Sequence, residues 1–272
     1  MTDEPRVVPK PWFGWVIGVV YAPIFIAPMI ASGVGYDEFT DSATNLRDAA
    51  VVPLAIVSAL LLVVITALGW WRPVLRDHLG SPRIWRLIPV LFVVALLVGA
   101  DYSRLGKLDT EFIIWAAVAA VLVGFAEESA YRGVSVVAFR SSYSEFRVWL
   151  FSTLLFMYLH AFNFFAGQDL GPTVVQLVFT FLMGSVLYAV RRATGTLIVP
   201  IILHGGWDFV AFTAASDAFE NPDELVDPRA FQPAILILVI MIVLFAIGFK
   251  KAFRTDDPAT PLGVPATSPP SP

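Results

Sequence analysis

Cysteine is absent from the chain, and charged residues are few. With no cysteine among 272 residues, disulfides, thiolate metal sites and a cysteine nucleophile are all excluded. Only 15% of the residues are charged, 57% are hydrophobic, and the mean hydropathy is +0.75. No basic patch with interleaved aromatic side chains occurs, so nucleic acid is not expected as a partner. This composition predicts an all-α, polytopic membrane protein whose surroundings are a lipid bilayer.

Long apolar stretches recur along the sequence and predict a bundle of about eight transmembrane helices. Residues 1–11 before them form a polar N-terminal segment, and residues 250–272 after them are rich in Pro, Ser and Thr. A tail of that composition is expected to be disordered. We therefore predict one transmembrane domain at 12–249, with spans at 12–34, 50–70, 86–101, 112–139, 148–165, 172–190, 195–214 and 231–249.

Basic residues are distributed unevenly between the two ends of the predicted spans. Thirteen of the 18 Lys and Arg residues lie in the N-terminal segment, the C-terminal tail and every second loop. Four lie in the remaining loops, and Arg132 lies within a span. Because Lys and Arg concentrate on the cytoplasmic side of a membrane, this alternation predicts that both termini are cytoplasmic. We expect a multi-pass protein of the cell membrane.

The predicted span 112–139 carries charged residues within its apolar sequence. Charges in hydrocarbon are costly unless they pair or line a cavity, so they indicate either function or a buried salt bridge that fixes packing. Glu128 and Arg132 are four residues apart and are predicted to pair on one helix face. Glu127 lies about 100° round the helix from Glu128, one turn below Tyr131. It is predicted to remain available for chemistry.

Two of the three histidines also lie inside predicted spans. His160 is in the fifth span, and His204 is in the seventh, four residues before Asp208. A single histidine in a helix is more often a packing residue than a catalyst. A rise of about 1.5 Å per residue places Glu127, His160 and His204 at or just cytoplasmic of the membrane midplane. The three side chains are therefore predicted to converge on one site.

A carboxylate next to an imidazole, shielded from bulk water, can activate a water molecule. A second imidazole and a side-chain donor can stabilise the oxyanion that forms when water attacks a carbonyl group. The set fits peptide hydrolysis, with Glu127 as base, His160 sharing or orienting the water, and His204 with residue 208 at the oxyanion. One glutamate and two histidines also form a zinc ligand set. The lack of HExxH spacing does not exclude zinc at Glu127, His160 and His204.

These residues resemble the motifs of the CPBP family of CAAX prenyl endopeptidases and Abi-type, bacteriocin-processing intramembrane proteases. EExxxR is found at 127–132, FxxxH from Phe156 to His160, and a variant of HxxxN from His204 to Asp208. The resemblance covers about 112–213, the predicted protease-like core. It implies a bundle of eight helices and a glutamate-dependent endopeptidase without a metal cofactor. It also implies a site open to the cytoplasm and a membrane-associated polypeptide substrate, which in eukaryotic members carries a prenyl group.

Asp208 departs from the family pattern, in which asparagine is commoner. An aspartate supports an oxyanion only when protonated, so Asp208 is predicted either to do so or to orient His204. Asn163, one turn beyond His160, is the alternative amide donor. The predicted supporting residues are Glu128, Arg132, Phe156, Tyr131 and Asn163.

Two other functions are left open by the residues. A proton-coupled transporter would use the glutamates, Arg132 and the histidines as a relay. A non-catalytic immunity or scaffold protein would use them only for packing. The sequence contains no internal repeat, which disfavours an inverted-repeat transporter. It does not identify the substrate or show whether that substrate is lipidated.

Overall fold

The fold is a bundle of antiparallel helices, seen in a computed structural model that describes residues 5–77, 88–98, 100, 102–103 and 105–216. Eight helices are named here in chain order, and the third of them has only five residues. They are α1 (Pro11–Ala31), α2 (Ala43–Leu68), α3 (Trp71–Leu75), α4 (Ile88–Val98), α5 (Thr110–Phe139), α6 (Glu145–Ala166), α7 (Leu170–Thr194) and α8 (Ile198–Ala215).

Six of these helices are long and apolar enough to cross a membrane: α1, α2, α5, α6, α7 and α8. Each agrees with a predicted span to within a few residues at most ends, which confirms the all-α membrane fold and roughly matches the predicted count. The predicted span 86–101 corresponds to α4, which has 11 residues. The predicted span 231–249 and the tail 250–272 lie outside the described residues, as do residues 1–4 of the N-terminal segment.

Local sequence signals define where the helices begin and end. Ser42 precedes α2 and its hydroxyl accepts a hydrogen bond from Asn45 N, at 3.1 Å. Gly69 and Gly195 follow α2 and α7 with φ of 71°, a left-handed conformation that favours glycine. The apolar side chains are spread round most helices rather than along one stripe, as expected where lipid surrounds the bundle.

The alternating direction of the helices creates two ends of different composition. At the first end, called the acidic end, residues 32–42, 102–103, 105–109 and 167–169 connect the helices, and Thr40 Oγ1 donates to the carbonyl of Ala215 at 3.4 Å. At the second end, called the basic end, residues 5–10, 69–77, 140–144 and 195–197 come together. There Val7 N donates to the carbonyl of Leu68 at 3.2 Å.

Small residues allow α1 to lie close to its neighbours. A Cβ on Gly14 would lie 2.7 Å from Phe139 Cε1, and one on Gly18 would lie 2.5 Å from Leu155 Cδ1. Gly14 and Gly18, spaced as in a GxxxG pattern, therefore allow close helix contact, with aromatic and aliphatic side chains filling the space above them.

A network of buried charges joins three connections at the basic end. Arg140 donates to both carboxylate oxygens of Asp77, at 3.0 and 3.1 Å, and to Glu145, at 2.6 and 3.1 Å. Arg192 and Tyr188 also contact Glu145, and Arg191 Nε lies 3.5 Å from Asp77. These carboxylates and guanidinium groups are almost inaccessible to solvent, so their pairing fixes how the helices α5, α6 and α7 meet.

The network gives the stability of the protein a defined pH dependence. Burial alone would raise the pKa of Asp77, but Arg140 and Arg191 outweigh it and lower that pKa to about 2, from an ordinary value of 3.8. Since the folded-state pKa lies below the ordinary one, ionised Asp77 stabilises the protein above pH ~4. That contribution is lost as the pH falls towards 2.

We expect the difference in unfolding free energy between the wild type and Asp77→Asn to narrow by about 2 kcal/mol from pH 5 to pH 2. Thermal unfolding in detergent at a series of pH values measures this difference. Equal pH slopes in the two proteins would show that Asp77 titrates normally in the folded state.

Candidate active site

The charged motif of α5 lies in a local widening of the helix. An α-helix runs to Glu127, a π-helical segment covers Glu128–Val134, and α-helix resumes at Ser135. The Ser135 hydroxyl donates to the carbonyl of Ala130 at 2.8 Å, which helps to satisfy the altered backbone pattern. Such π segments occur frequently at functional sites, and this one was not predicted from the sequence.

Glu128 and Arg132 form the ion pair that the sequence predicts. Arg132 Nη1 lies 2.9 Å from Glu128 Oε1, and both side chains are completely buried. The same carboxylate oxygen also accepts from His204 Nδ1, at 2.9 Å. Glu128 therefore links α5 to α8 as well as pairing with Arg132, a second role that the spacing within α5 did not indicate.

Phe156 is the aromatic centre of the site. Its ring lies beneath the Arg132 guanidinium at 3.9 Å, and its centroid is 4.9 Å from His160 and 5.6 Å from His204. Its carbonyl accepts from His160 Nδ1 at 3.0 Å. The predicted supporting residue Tyr131 packs edge-on against the same ring, at 5.7 Å. Phe156 thus orients two histidines and an arginine at once.

Glycines allow the helices of the site to approach. A Cβ on Gly124 would lie 2.4 Å from the carbonyl oxygen of Ile201, and one on Gly205 would lie 2.4 Å from that of Ala120. The backbones of α5 and α8 are therefore in direct contact one turn from Glu127 and next to His204. In α7, a Cβ on Gly184 would lie 2.8 Å from Arg132 Nη2, so this glycine leaves room for the buried guanidinium.

A cavity lies against these residues, between α1, α2, α5, α6, α7 and α8. The volume within which the centres of water molecules fit is about 110 Å³, which is enough for several waters. Its polar wall includes the predicted residues Glu127, His160, Asn163 and Asp208. Glu127 is 4% exposed, and its Oε2 has no hydrogen-bond partner among the described residues. A buried carboxylate oxygen beside a water-sized space can bind and polarise water.

Two further polar residues of the cavity, Gln176 and Tyr36, were not predicted from the sequence. Asn163 Nδ2 donates to Gln176 Oε1 at 2.9 Å, and Gln176 Nε2 donates to the Tyr36 hydroxyl at 2.7 Å. Burial raises the pKa of Tyr36 to about 12, so the phenol keeps its proton at neutral pH and can donate it. A glutamine inside the span 172–190 was the available signal, whereas nothing marked Tyr36 in its loop.

His204 is placed differently from the other predicted catalytic residues. Its Nε2 lies 3.4 Å from Asp208 Oδ2 and 3.9 Å from Glu127 Oε2, while its Nδ1 is bonded to Glu128. It does not line the cavity, whereas Asp208 does. His204 therefore lies next to all three carboxylates of the site without lining the cavity. This placement agrees with the second of the two roles predicted for Asp208, which is to orient His204.

The cavity lies towards the acidic end of the helices. His160 is the penultimate residue of the α-helical part of α6, close to the acidic end, because that helix begins at Glu145 and ends at Ala161. Tyr36 and Phe39 line the cavity from the connection between α1 and α2 at the same end.

A metal site is the alternative use of these side chains. Among the described residues, no three His, Asp or Glu side chains are grouped so that they could hold a metal ion. His204 directs both ring nitrogens at carboxylates, and His160 uses Nδ1 for a backbone carbonyl. The alternative zinc set of Glu127, His160 and His204 does not fit this geometry.

The part of the chain that forms this site is similar to a known protein family. The family model described as "Rce1-like: Type II CAAX prenyl endopeptidase Rce1-like" matches residues 109–210, which include the motif of α5, both histidines and Asp208. Residues 109–210 are an Rce1-like domain. No curated protein and no solved structure gives a significant match to the chain.

The Rce1-like domain confirms the family resemblance that the motifs indicated. Type II CAAX prenyl endopeptidases are hydrolases, and the six apolar helices make this chain a multi-pass membrane protein. The matched region begins one residue before α5 and ends within α8, so it contains the helices α5 to α8 that supply Glu127, His160, His204 and Asp208.

Proposed function

We propose that the chain is a glutamate-dependent intramembrane endopeptidase that hydrolyses a peptide bond of a membrane-associated polypeptide. The observation that carries this proposal is the Glu127 carboxylate on the wall of a cavity that His160, Asn163 and Asp208 also line. The Rce1-like match of the same region supports it independently.

Glu127 acts as the general base, with His160 orienting the water. Because His160 Nδ1 donates to the carbonyl of Phe156, the neutral ring has its lone pair on Nε2 and can accept a hydrogen bond from water. Glu127 takes a proton from this water as the water oxygen attacks the carbonyl carbon of the substrate. The proton then passes to the amide nitrogen, the C–N bond breaks, and a carboxylic acid and an amine leave.

The remaining polar groups hold the base and the oxyanion. Asn163 donates one amide hydrogen to Gln176 and has a second for the oxyanion that develops on the substrate carbonyl. His204 is a positioning residue. Its ring lies next to the carboxylates of Glu127, Glu128 and Asp208 and holds them in place. Glu128 and Arg132 neutralise each other and support Phe156.

Hydrolysis in ¹⁸O-labelled water tests the proposal directly. Purified chain is incubated with solubilised membrane proteins in H₂¹⁸O, and the peptides are analysed by mass spectrometry. We expect new C-termini that carry one ¹⁸O atom, since the attacking oxygen comes from water. Their presence to the same extent in Glu127→Gln would assign the cleavage to a contaminant, and their complete absence in the wild type would favour a transporter or a scaffold.

Metal chelators distinguish the proposed mechanism from zinc-dependent hydrolysis. In the proposed mechanism, cleavage is unchanged by EDTA and by 1,10-phenanthroline, because Glu127 and His160 activate the water. Loss of cleavage with a chelator and its recovery with zinc would instead support the zinc set at Glu127, His160 and His204.

A further inference from the structure

Three polar side chains form a hydrogen-bonded chain along one side of the cavity. Tyr36 in the connection between α1 and α2, Gln176 in α7 and Asn163 in α6 all line it. Gln176 Nε2 donates to the Tyr36 hydroxyl at 2.7 Å, and Gln176 Oε1 accepts from Asn163 Nδ2 at 2.9 Å. The hydrogen bonds therefore connect a loop residue to Asn163, which follows His160 by three positions.

The backbone of Asn163 is fixed independently of its side chain. Asn163 lies in the 3₁₀ turn that follows the α-helical part of α6, and it is 4% exposed. Its carbonyl accepts from Gln168 N at 3.0 Å, and Gln168 Oε1 accepts from Thr173 Oγ1 at 3.0 Å. Since the turn sets the position of Asn163, the rotation of its carboxamide is what the side-chain contacts decide.

That rotation decides whether Asn163 can serve the proposed reaction. An amide NH₂ group directed at the developing oxyanion stabilises it, whereas a carbonyl oxygen in the same place repels it. The two ends of a carboxamide are nearly identical in shape, so packing alone discriminates poorly between them. Gln176 Oε1 can only accept a hydrogen bond, and it therefore selects Nδ2 of Asn163 rather than Oδ1.

Tyr36 fixes the carboxamide of Gln176 in turn. Its oxygen accepts from Gln176 Nε2 and so holds Oε1 towards Asn163. A phenol can also donate, but the carboxyl groups of Glu127 and Asp208 line the same cavity and attract the hydroxyl hydrogen, which leaves the oxygen to Gln176. Burial, with a smaller contribution from these carboxylates, raises the pKa of Tyr36 to about 12, so the hydroxyl keeps its hydrogen at neutral pH.

The loop that carries Tyr36 is packed against the turn that carries Asn163. Gly167 ends this turn with a φ of 105°, a left-handed conformation that favours glycine. A Cβ on Gly167 would lie 3.8 Å from both Gly35 Cα and Tyr36 N, and the Tyr36 ring packs against Phe39 with centroids 5.3 Å apart. The phenol is therefore held in place by its own surroundings.

We infer that Tyr36 and Gln176 are positioning residues of the proposed hydrolysis, which hold Asn163 with an amide hydrogen available to the substrate carbonyl. This inference rests on the proposed function and adds to it two residues outside the family motifs. In this chain Asp208 stands where asparagine is commoner, so an amide from another position has to be held in place.

A double-mutant cycle tests whether Tyr36 acts through Asn163. The substrate is a synthetic peptide that spans a cleavage site found in ¹⁸O-labelled water. We expect Tyr36→Phe to lower kcat by about tenfold, the equivalent of one net hydrogen bond, and to change KM by less than about twofold. In an Asn163→Ala background, Tyr36→Phe is expected to cost less than about twofold. An equal loss in both backgrounds would show that Tyr36 acts independently of Asn163 and would overturn the inference.

Two further variants provide the comparison. Gln176→Leu interrupts the hydrogen-bonded chain at its centre, so it should lower kcat about as much as Tyr36→Phe, and the double variant should be no slower than the slower single one. Tyr143 is a half-buried tyrosine of the connection at the basic end, and its hydroxyl accepts from Trp15 Nε1 at 3.5 Å. Tyr143→Phe should leave kcat unchanged. A loss of equal size in Tyr143→Phe would contradict a specific role for Tyr36.

Hydrogen exchange of the Asn163 side chain tests the positioning without any need for activity. The chain has three asparagines, so protein labelled with ¹⁵N in the asparagine side chains gives three NH₂ signals by NMR, and Asn163→Ala identifies one of them. We expect the Asn163 hydrogens to exchange with water at least about tenfold faster in Tyr36→Phe than in the wild type. Unchanged exchange would overturn the inference whether or not the protein cleaves peptides. Faster exchange in a protein that cleaves nothing would support the positioning and refute the proposed function alone.

Discussion

Glu127→Gln is expected to lower the rate of peptide hydrolysis by about 10²–10⁴-fold, the usual contribution of a positioned general base. The amide has the shape of the carboxylic acid but cannot take the proton of the attacking water. The Glu127 carboxylate lines the cavity and is the group concerned. The measurement is the initial rate of ¹⁸O-labelled cleavage at matched protein concentration.

Glu111→Gln is the control for this change. Glu111 is also in α5, but it is exposed and its carboxylate accepts from Trp115 Nε1 at 3.3 Å. We expect this variant to cleave at close to the wild-type rate. If both glutamine variants lose activity equally, or if Glu127→Gln melts at a much lower temperature than the wild type, the loss reflects structure and Glu127 is not the base.

Arg140→Met is expected to lower the free energy of unfolding by about 3–5 kcal/mol, because it leaves buried carboxylates without a shared cation. Arg140 bonds Asp77 and Glu145 through four hydrogen bonds of 2.6 to 3.1 Å. Methionine replaces most of the volume but none of the charge. Thermal or urea unfolding in a mild detergent measures the effect.

The exposed residue Arg147 gives the comparison, and Arg147→Met should change stability by less than about 0.5 kcal/mol. A triple variant that combines Arg140→Met with Asp77→Asn and Glu145→Gln should be less stable than Arg140→Met, since Arg191 and Arg192 then lose the carboxylates that they contact. A triple variant as stable as Arg140→Met would indicate that packing of the arginine stem, rather than its charge, stabilises the basic end.

Most of the fold could be predicted because the bilayer requires long apolar helices with internally satisfied backbones. The exceptions are local. The π segment at Glu128–Val134 has no signature in the apolar pattern, since one widened turn leaves the run of apolar residues uninterrupted. Likewise, the change of α6 into a 3₁₀ turn at Phe162–Ala166 was not predicted from the sequence.

Within the site, the sequence by itself determined the relations between residues on one helix. Glu128 and Arg132 pair as their spacing predicts, because residues four apart on a helix are neighbours whatever surrounds them. The charge alternation likewise follows from the order of residues along the chain, and the motifs in that order indicate the family whose model matches residues 109–210.

Only the tertiary structure decided the relations between helices. It brought His204 to Glu128 and left it off the cavity wall, joined Asn163 through Gln176 to Tyr36, and opened the cavity towards the acidic end. These contacts depend on how closely α5 and α8 cross at Gly124 and Gly205, a distance set by packing between segments remote in the chain. Periodicity within one segment cannot report on packing between two.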